Sequence, residues 1–166
     1  MAPKQQLFRA IINWYKLRQF SNAVATKKSG HIYKVSAPPN WMVQCFTSIG
    51  LENLDCMSGI YLSSETAFAK LNKHKKLGDV GSFVRLLEAT LYSNDVEVRT
   101  AKHPRSLEVF IYNETRLWLI AYKLTSISEI VVSSAYRVDE RRLEQARQRN
   151  LLHGIVLNLE RVGGRP

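Results

Sequence analysis

Residue types that could do chemistry fall in three places. His74 stands among Lys70, Lys73, Lys75 and Lys76, just after the short apolar run Ile60-Tyr61-Leu62 and a Ser63-Ser64 pair. Neighbouring cations disfavour the charged form of an imidazole, which leaves more of it neutral and able to accept a proton. The same lysines could hold a phosphodiester, although a basic helix end is more often simply solvated. A second stretch, Val131-Val-Ser-Ser-Ala-Tyr-Arg137, puts the hydroxyls of Ser133, Ser134 and Tyr136 and the Arg137 guanidinium where a strand runs out. Those groups suit a phosphate whose charge grows in a transition state; the plainer alternative is that they satisfy nearby backbone. The third group is Glu97, Arg99, Lys102, His103 and Arg105. Arg99 and Lys102 could line a groove, whereas His103 before Pro104 reads as a turn residue.

Other chemistries lack their motifs. No glycine-rich phosphate loop, dinucleotide fingerprint, zinc-protease helix or nucleophile elbow occurs, and no paired carboxylates suggest a metal-dependent nuclease. Cys45 and Cys56 stand eleven positions apart without zinc spacing, so they read as ordinary thiols of a reducing compartment. No cofactor and no metal are expected. Cleavage of a phosphodiester here would use an RNA 2′-hydroxyl as nucleophile, a general base, and cations and hydroxyls around the phosphorane.

The charge points to an anionic partner. The chain carries 24 basic and 14 acidic residues, a formal +10; seven of the basic residues and none of the acidic ones lie in the first 50. Nucleic acid is the first partner such a field suggests. No apolar run is long enough to span a bilayer, and the N-terminus reads as a charged amphipathic stretch rather than a leader.

The elements that must position these residues follow from periodicity. Residues 5–20 place Phe8, Ile11, Ile12 and Tyr15 on one helical face, followed by a polar loop over 21–30. Residues 31–36 alternate as a strand, and residues 41–49 form a helix that Asn40 could cap and Gly50 closes. After the strand at 60–62, Ser63 or Ser64 caps a helix that frays near His74. Asp79 caps the next one, whose apolar face is Phe83, Leu86, Leu87, Thr90 and Leu91. From Val96 the period becomes two, predicting strands at 96–101, 107–112, 117–124 and 129–135 in an antiparallel meander. The strand at 117–124 is apolar on both faces and is expected to be central. A charged helix over 139–150 and a last strand at 153–159 would close the chain.

This order of elements resembles the phage-associated Barnase–EndoU–colicin E5/D–RelE-like (BECR) nuclease domains. The resemblance covers about residues 58–150. It rests on Leu62-Ser63-x-x-Thr66, the Lys70/His74 pair, Val96-x-Val98-Arg99, Trp118-Leu-Ile-Ala-Tyr-Lys123 and Ile130-Val-Val-Ser-Ser-Ala-Tyr-Arg137. It implies a metal-independent ribonuclease fold encoded by phages or prophages. Within it His74 would be the general base or acid, and Lys70, Arg99 and Lys123 would bind phosphate. Ser133 or Ser134 and Tyr136 would sit at the reaction centre. The chain departs from the family at its N-terminus, where a basic extension stands in place of a fused head protein.

The expected class is therefore α+β, with N-terminal helices packed on a four- to five-stranded antiparallel β-meander. A basic extension spans 1–57, a nuclease-type domain 58–160 and a flexible tail 161–166. The leading expectation is a phage or prophage ribonuclease in which His74, Ser133, Ser134 and Tyr136 react, and Lys70, Lys75, Lys76, Arg99, Lys123 and Arg137 bind RNA. Its place would be the bacterial cytoplasm or the virion. The alternative is a catalytically silent module that binds nucleic acid, a virion protein or a host-defence protein. An antitoxin fits poorly, because a surface complementary to a basic toxin should be acidic.

Overall fold

The computed structural model describes residues 3–51, 59–93, 96–100, 103–127 and 129–149. The element order is α1 (Pro3–Ala25), β1 (Ile32–Ser36), α2 (Asn40–Ser48), β2 (Ile60–Ser63), α3 (Ser64–Lys73), a 3₁₀ turn (Lys75–Leu77), α4 (Val80–Tyr92), β3 (Val96–Thr100), β4 (Ser106–Asn113), β5 (Arg116–Leu124), β6 (Ile130–Arg137) and α5 (Glu140–Arg149). The class is α+β with helices at the N-terminus. The predicted strand at 153–159, the tail, Cys56 and Lys102 lie outside the described residues.

The meander β3-β4-β5-β6 forms as the period-two pattern predicts. The sheet is larger than four or five antiparallel strands, however. Among the described residues it has six, in the order β1-β2-β6-β5-β4-β3, and β2 runs parallel to β6. The parallel pair is short, joining Ile60 to Ile130 and Tyr61 to Val131. Short apolar strands do not announce their partners, because pairing is decided by long-range packing rather than by the strand's own residues.

Layering explains why β5 is apolar on both sides. One face of the sheet carries Val98, Val109, Ile120, Tyr122 and Ala135, and packs with Phe20, Met42, Phe46, Phe83 and Leu87 from α1, α2 and α4 in the main core. The other face carries Phe110, Leu117 and Leu119, covered by Leu143 and Ala146 of α5. Ionic and polar ties hold α5 in place. Arg147 pairs with Glu97 of β3 at 2.9 Å, and the Tyr112 hydroxyl of β4 donates to Glu140 at 2.9 Å. Cys45 is a free thiol in the main core, where burial pushes its pKa up to about 12.

The described residues of the 1–57 extension are part of this one core. Strand β1 pairs with β2 at the sheet edge, and α1 packs against α3 and α4. The boundary at 57/58 thus falls between two strands of a single sheet. Helix α1 also runs five residues past its predicted end, because Ala23 and Val24 are buried. That extra length changes which face packs. Leu17 and Phe20 turn inward with Ala23 and Val24, while Ile11, Trp14 and Tyr15 of the predicted stripe and its flank are 56–59% exposed. The exposed side chains lie about half a helical turn away from the packed ones.

Phe83 is fully buried at the centre of the main core. Phe83→Ala is expected to lower stability by about 3–5 kcal/mol, through lost burial and a cavity that the sheet cannot close. Urea denaturation followed by circular dichroism checks this as a lower midpoint with an unchanged slope.

Candidate functional site

The position of His74 follows from the parallel β2/β6 pair. Among the described residues, the outer edge of β6 has no partner strand after Val131, and α3, which follows β2 directly, packs along β6. Ten helical residues advance about 15 Å. The five residue steps from Val131 to Tyr136 along β6 advance about 17 Å. The end of α3 therefore arrives beside Tyr136. The two rings stack there, with centroids 6.1 Å apart and planes at 29°.

The helix is built to stop at this point. Ser63 is the cap: its hydroxyl oxygen accepts the Thr66 N–H at 3.1 Å and donates to the Thr66 hydroxyl at 2.9 Å. Glu65, in the first turn, accepts the Gly30 N–H at 2.6 Å, and that bond holds its carboxyl below the usual range. At the other end the His74 N–H still bonds to the Lys70 carbonyl at 2.8 Å, but His74 itself has left helical geometry. Gly78, at φ 81, then turns the chain into α4, capped by Asp79 accepting the Ser82 N–H at 2.8 Å. Ser63→Ala removes one of the bonds that fixes the entry of α3. It is expected to cost about 1 kcal/mol. A thermal melt reads this directly, and Ser63→Asp should restore most of the loss.

His74 is half-buried, and its pKa lies below the ordinary imidazole value. Desolvation is the main cause, followed by the Lys73 and Lys70 ammonium groups. The neutral imidazole is therefore the prevailing form near neutrality. Tyr136 is half-buried too, and its pKa is raised chiefly by burial. Its hydroxyl accepts a hydrogen bond from Nη2 of Arg142 at 2.8 Å, and the Arg142 guanidinium lies 5.3 Å from its ring centre.

Beyond Tyr136 the cluster continues into residues that the sequence did not single out. Glu108 is nearly buried in the middle of β4. Its Oε1 accepts both Nη2 and Nε of Arg99, at 2.9 and 3.2 Å, and Arg142 approaches its Oε2 at 3.8 Å. Arg99 also lies over the Phe110 ring, 5.6 Å from its centre. The registers Arg99↔Glu108, Glu108↔Ala121 and Ala121↔Ser134 put Arg99, Glu108 and Ser134 on the α5 face, together with Tyr136. A lone carboxylate within the apolar strand Leu107-Glu-Val-Phe-Ile111 was the available signal, since such a group is seldom buried without partners. Arg142 gave none, standing in a helix where basic residues are ordinary.

The remaining expected site residues separate. Arg99 is committed to Glu108 and is not a free phosphate ligand. Ser133 sits at a register shift in β6 and donates to the Ala121 carbonyl at 3.2 Å, so its hydroxyl serves the sheet. Lys123 is on the α5 face but four residues along β5 from Leu119, the partner of Tyr136. That is about 13 Å of strand. Arg137 follows Tyr136 in β6 and so turns to the opposite face, where it pairs with Trp118. Lys70 precedes His74 by one helical turn, on the same side of α3. Lys75 reaches Asn72 at 3.4 Å, and Lys76 lines a separate cleft. His103 behaves as the expected turn residue, its Nδ1 accepting the Arg105 N–H, while the Arg105 guanidinium binds the Leu124 and Thr125 carbonyls.

Among the described residues, no three His, Cys, Asp or Glu side chains gather as metal ligands would, and no helix is long and apolar enough to cross a membrane. No family model, curated protein or solved structure matches the chain.

Proposed function

We propose that the protein is a ribonuclease of phage or prophage origin that cleaves RNA through attack of the 2′-hydroxyl, with His74 as the proton-transfer group. One observation carries this reading: an imidazole stacked on Tyr136, whose hydroxyl is held by an arginine that also approaches a nearly buried carboxylate. Such a set contains what the transesterification needs. A neutral imidazole can take the 2′-hydroxyl proton. The Tyr136 hydroxyl and the Arg142 guanidinium are donors for a phosphorane oxygen. Glu108 holds Arg99 and draws in Arg142. Lys70, Lys73, Lys75 and Lys76 supply the field that draws the substrate in. The resemblance to BECR nucleases points the same way. The test is incubation of purified wild-type protein and His74→Ala with total RNA in EDTA. Cleavage by the wild type alone is the expected result; two intact RNA samples would sink the enzymatic reading.

A catalytically silent binding module is the second reading, and the exposed Ile11, Trp14 and Tyr15 of α1 favour it. Apolar groups gathered on an exposed helix face commonly mark a partner surface. Under that reading the function survives His74→Ala and is lost on changing Trp14 to Ala.

A further inference from the structure

A cleft of about 530 Å³ opens between the 3₁₀ turn, the start of α4 and the β4–β5 hairpin. It lies apart from the cluster around Tyr136. Lys76, Arg85 and Arg116 converge on it from three different elements, and all three are exposed. None of them forms an ion pair among the described residues. Asp79 lies within the field of Arg85, but its carboxylate is occupied in capping α4. Three like charges directed at one cavity repel each other, so an anion placed between them is favoured.

Two further features mark the cleft as built for a ligand. Asn113 and Ser82 add neutral donors to its walls, and the buried Trp118 forms part of its floor. The hairpin that carries Asn113 and Arg116 also turns through Glu114 and Thr115, at φ 51 and 66. Turns of this hand ordinarily use Asn, Asp or Gly, and a β-branched residue there is strained. Such strain gathers at binding sites, where the surroundings hold it in place.

Two chain neighbours link the cleft to the candidate site beside β6. The Leu77 N–H bonds to the His74 carbonyl at 3.0 Å, so Lys76 is within one turn of the imidazole. On the sheet side Trp118 pairs with Arg137, the neighbour of Tyr136. We propose that this cleft is a second phosphate subsite, which holds a backbone phosphate of single-stranded RNA flanking the bond presented to His74. The identity of the ligand rests on the ribonuclease reading; the anion preference rests on the three cations. Lys76, Arg85 and Arg116 surround the phosphate, Asn113 and Ser82 donate to its oxygens, and the Glu114 carboxylate at the wall opposes it.

The experiment measures fluorescence anisotropy of a labelled 2′-O-methyl oligouridylate of about 12 nucleotides, a length within the usual reach of single-strand sites. This probe lacks the nucleophile and stays intact. Arg85→Glu/Arg116→Glu is expected to weaken binding about tenfold or more, and to reduce the slope of log affinity against log salt by about 0.7, the value for one lost phosphate contact on a single strand. Glu114→Gln should tighten binding. Uridine monophosphate and a uridine dinucleotide should bind the double variant as they bind the wild type. An unchanged oligonucleotide affinity in the folded double variant overturns the proposal. So does a loss confined to the monophosphate, which would make the cleft a nucleotide site. Arg85→Gln/Arg116→Gln repeats the test if charge reversal impairs folding. Should the wild type cleave no RNA while the double variant still loses oligonucleotide affinity, the ribonuclease reading fails and the cleft stands. Normal wild-type cleavage with unchanged affinity in the double variant removes the subsite and leaves the ribonuclease reading intact.

Discussion

Replacing His74 with alanine is expected to reduce RNA cleavage by about 10²–10⁴-fold, the usual contribution of a positioned proton-transfer group. Its pH profile carries the more specific prediction. The imidazole pKa is lowered by desolvation first and by Lys73 and Lys70 next, and the group facing it from β6 is Tyr136. The base is active when neutral, so wild-type cleavage should be at its plateau by pH 7. It should fall as pH drops through a midpoint below the ordinary histidine value of about 6.5. Lys70→Gln and Lys73→Gln remove part of the cationic field and should move that midpoint upward. The stability linkage has the same sign. The unfolded chain binds the proton more readily than the folded one below about pH 6.5, so stability is lost as pH falls through that range. A profile with its midpoint above 7, or one indifferent to the two lysines, would show that His74 is not the titrating base. Because His74 is half-exposed and lies beyond the helical residues of α3, His74→Ala should leave the thermal midpoint nearly unchanged.

Glu108 is the residue whose removal should disturb the fold and the site together. Glu108→Ala leaves Arg99, with a side chain only 18% exposed, without its counter-ion. Breaking a buried pair from one side is costly, and about 2–4 kcal/mol is expected here. In a chain of this length that is a fall in Tm of roughly 4–16 °C. The double variant Arg99→Met/Glu108→Leu should regain much of the loss, since apolar groups of similar volume often replace a buried pair at little cost. Cleavage should not return with the stability, because the carboxylate that draws in Arg142 is gone. A double variant that is both stable and fully active would remove Glu108 and Arg99 from the site, and leave them as a structural pair.

Much of the chain was legible in the order of its residues. The meander, the doubly apolar β5, the caps at Ser63 and Asp79, and the helix that ends at His74 all follow from local pattern and cap chemistry. They depend on residues close together in sequence, and the same rules act in the folded chain. Asn40 shows the limit of such rules, being the first helical residue of α2 while Pro39 takes the cap position. The packed face of α1 shows another. Ile11 and Tyr15 match Leu17 and Phe20 in type, and only the approach of β1, α3 and α4 decides which set is buried.

Tertiary structure alone decided the composition of the candidate site. The parallel β2/β6 pair is short, and it lets α3 pack along β6 so that His74 meets Tyr136. Strand register decided that Arg99 faces Glu108 and that Arg137 turns away from Tyr136. A shift of one residue would have exchanged those faces, since side chains alternate along a strand. The sequence by itself determined which residues had the chemistry and which elements carried them. Which of them stand together was settled by pairing between segments that are distant in the chain, where the energy lies in burial and long-range packing rather than in any local preference.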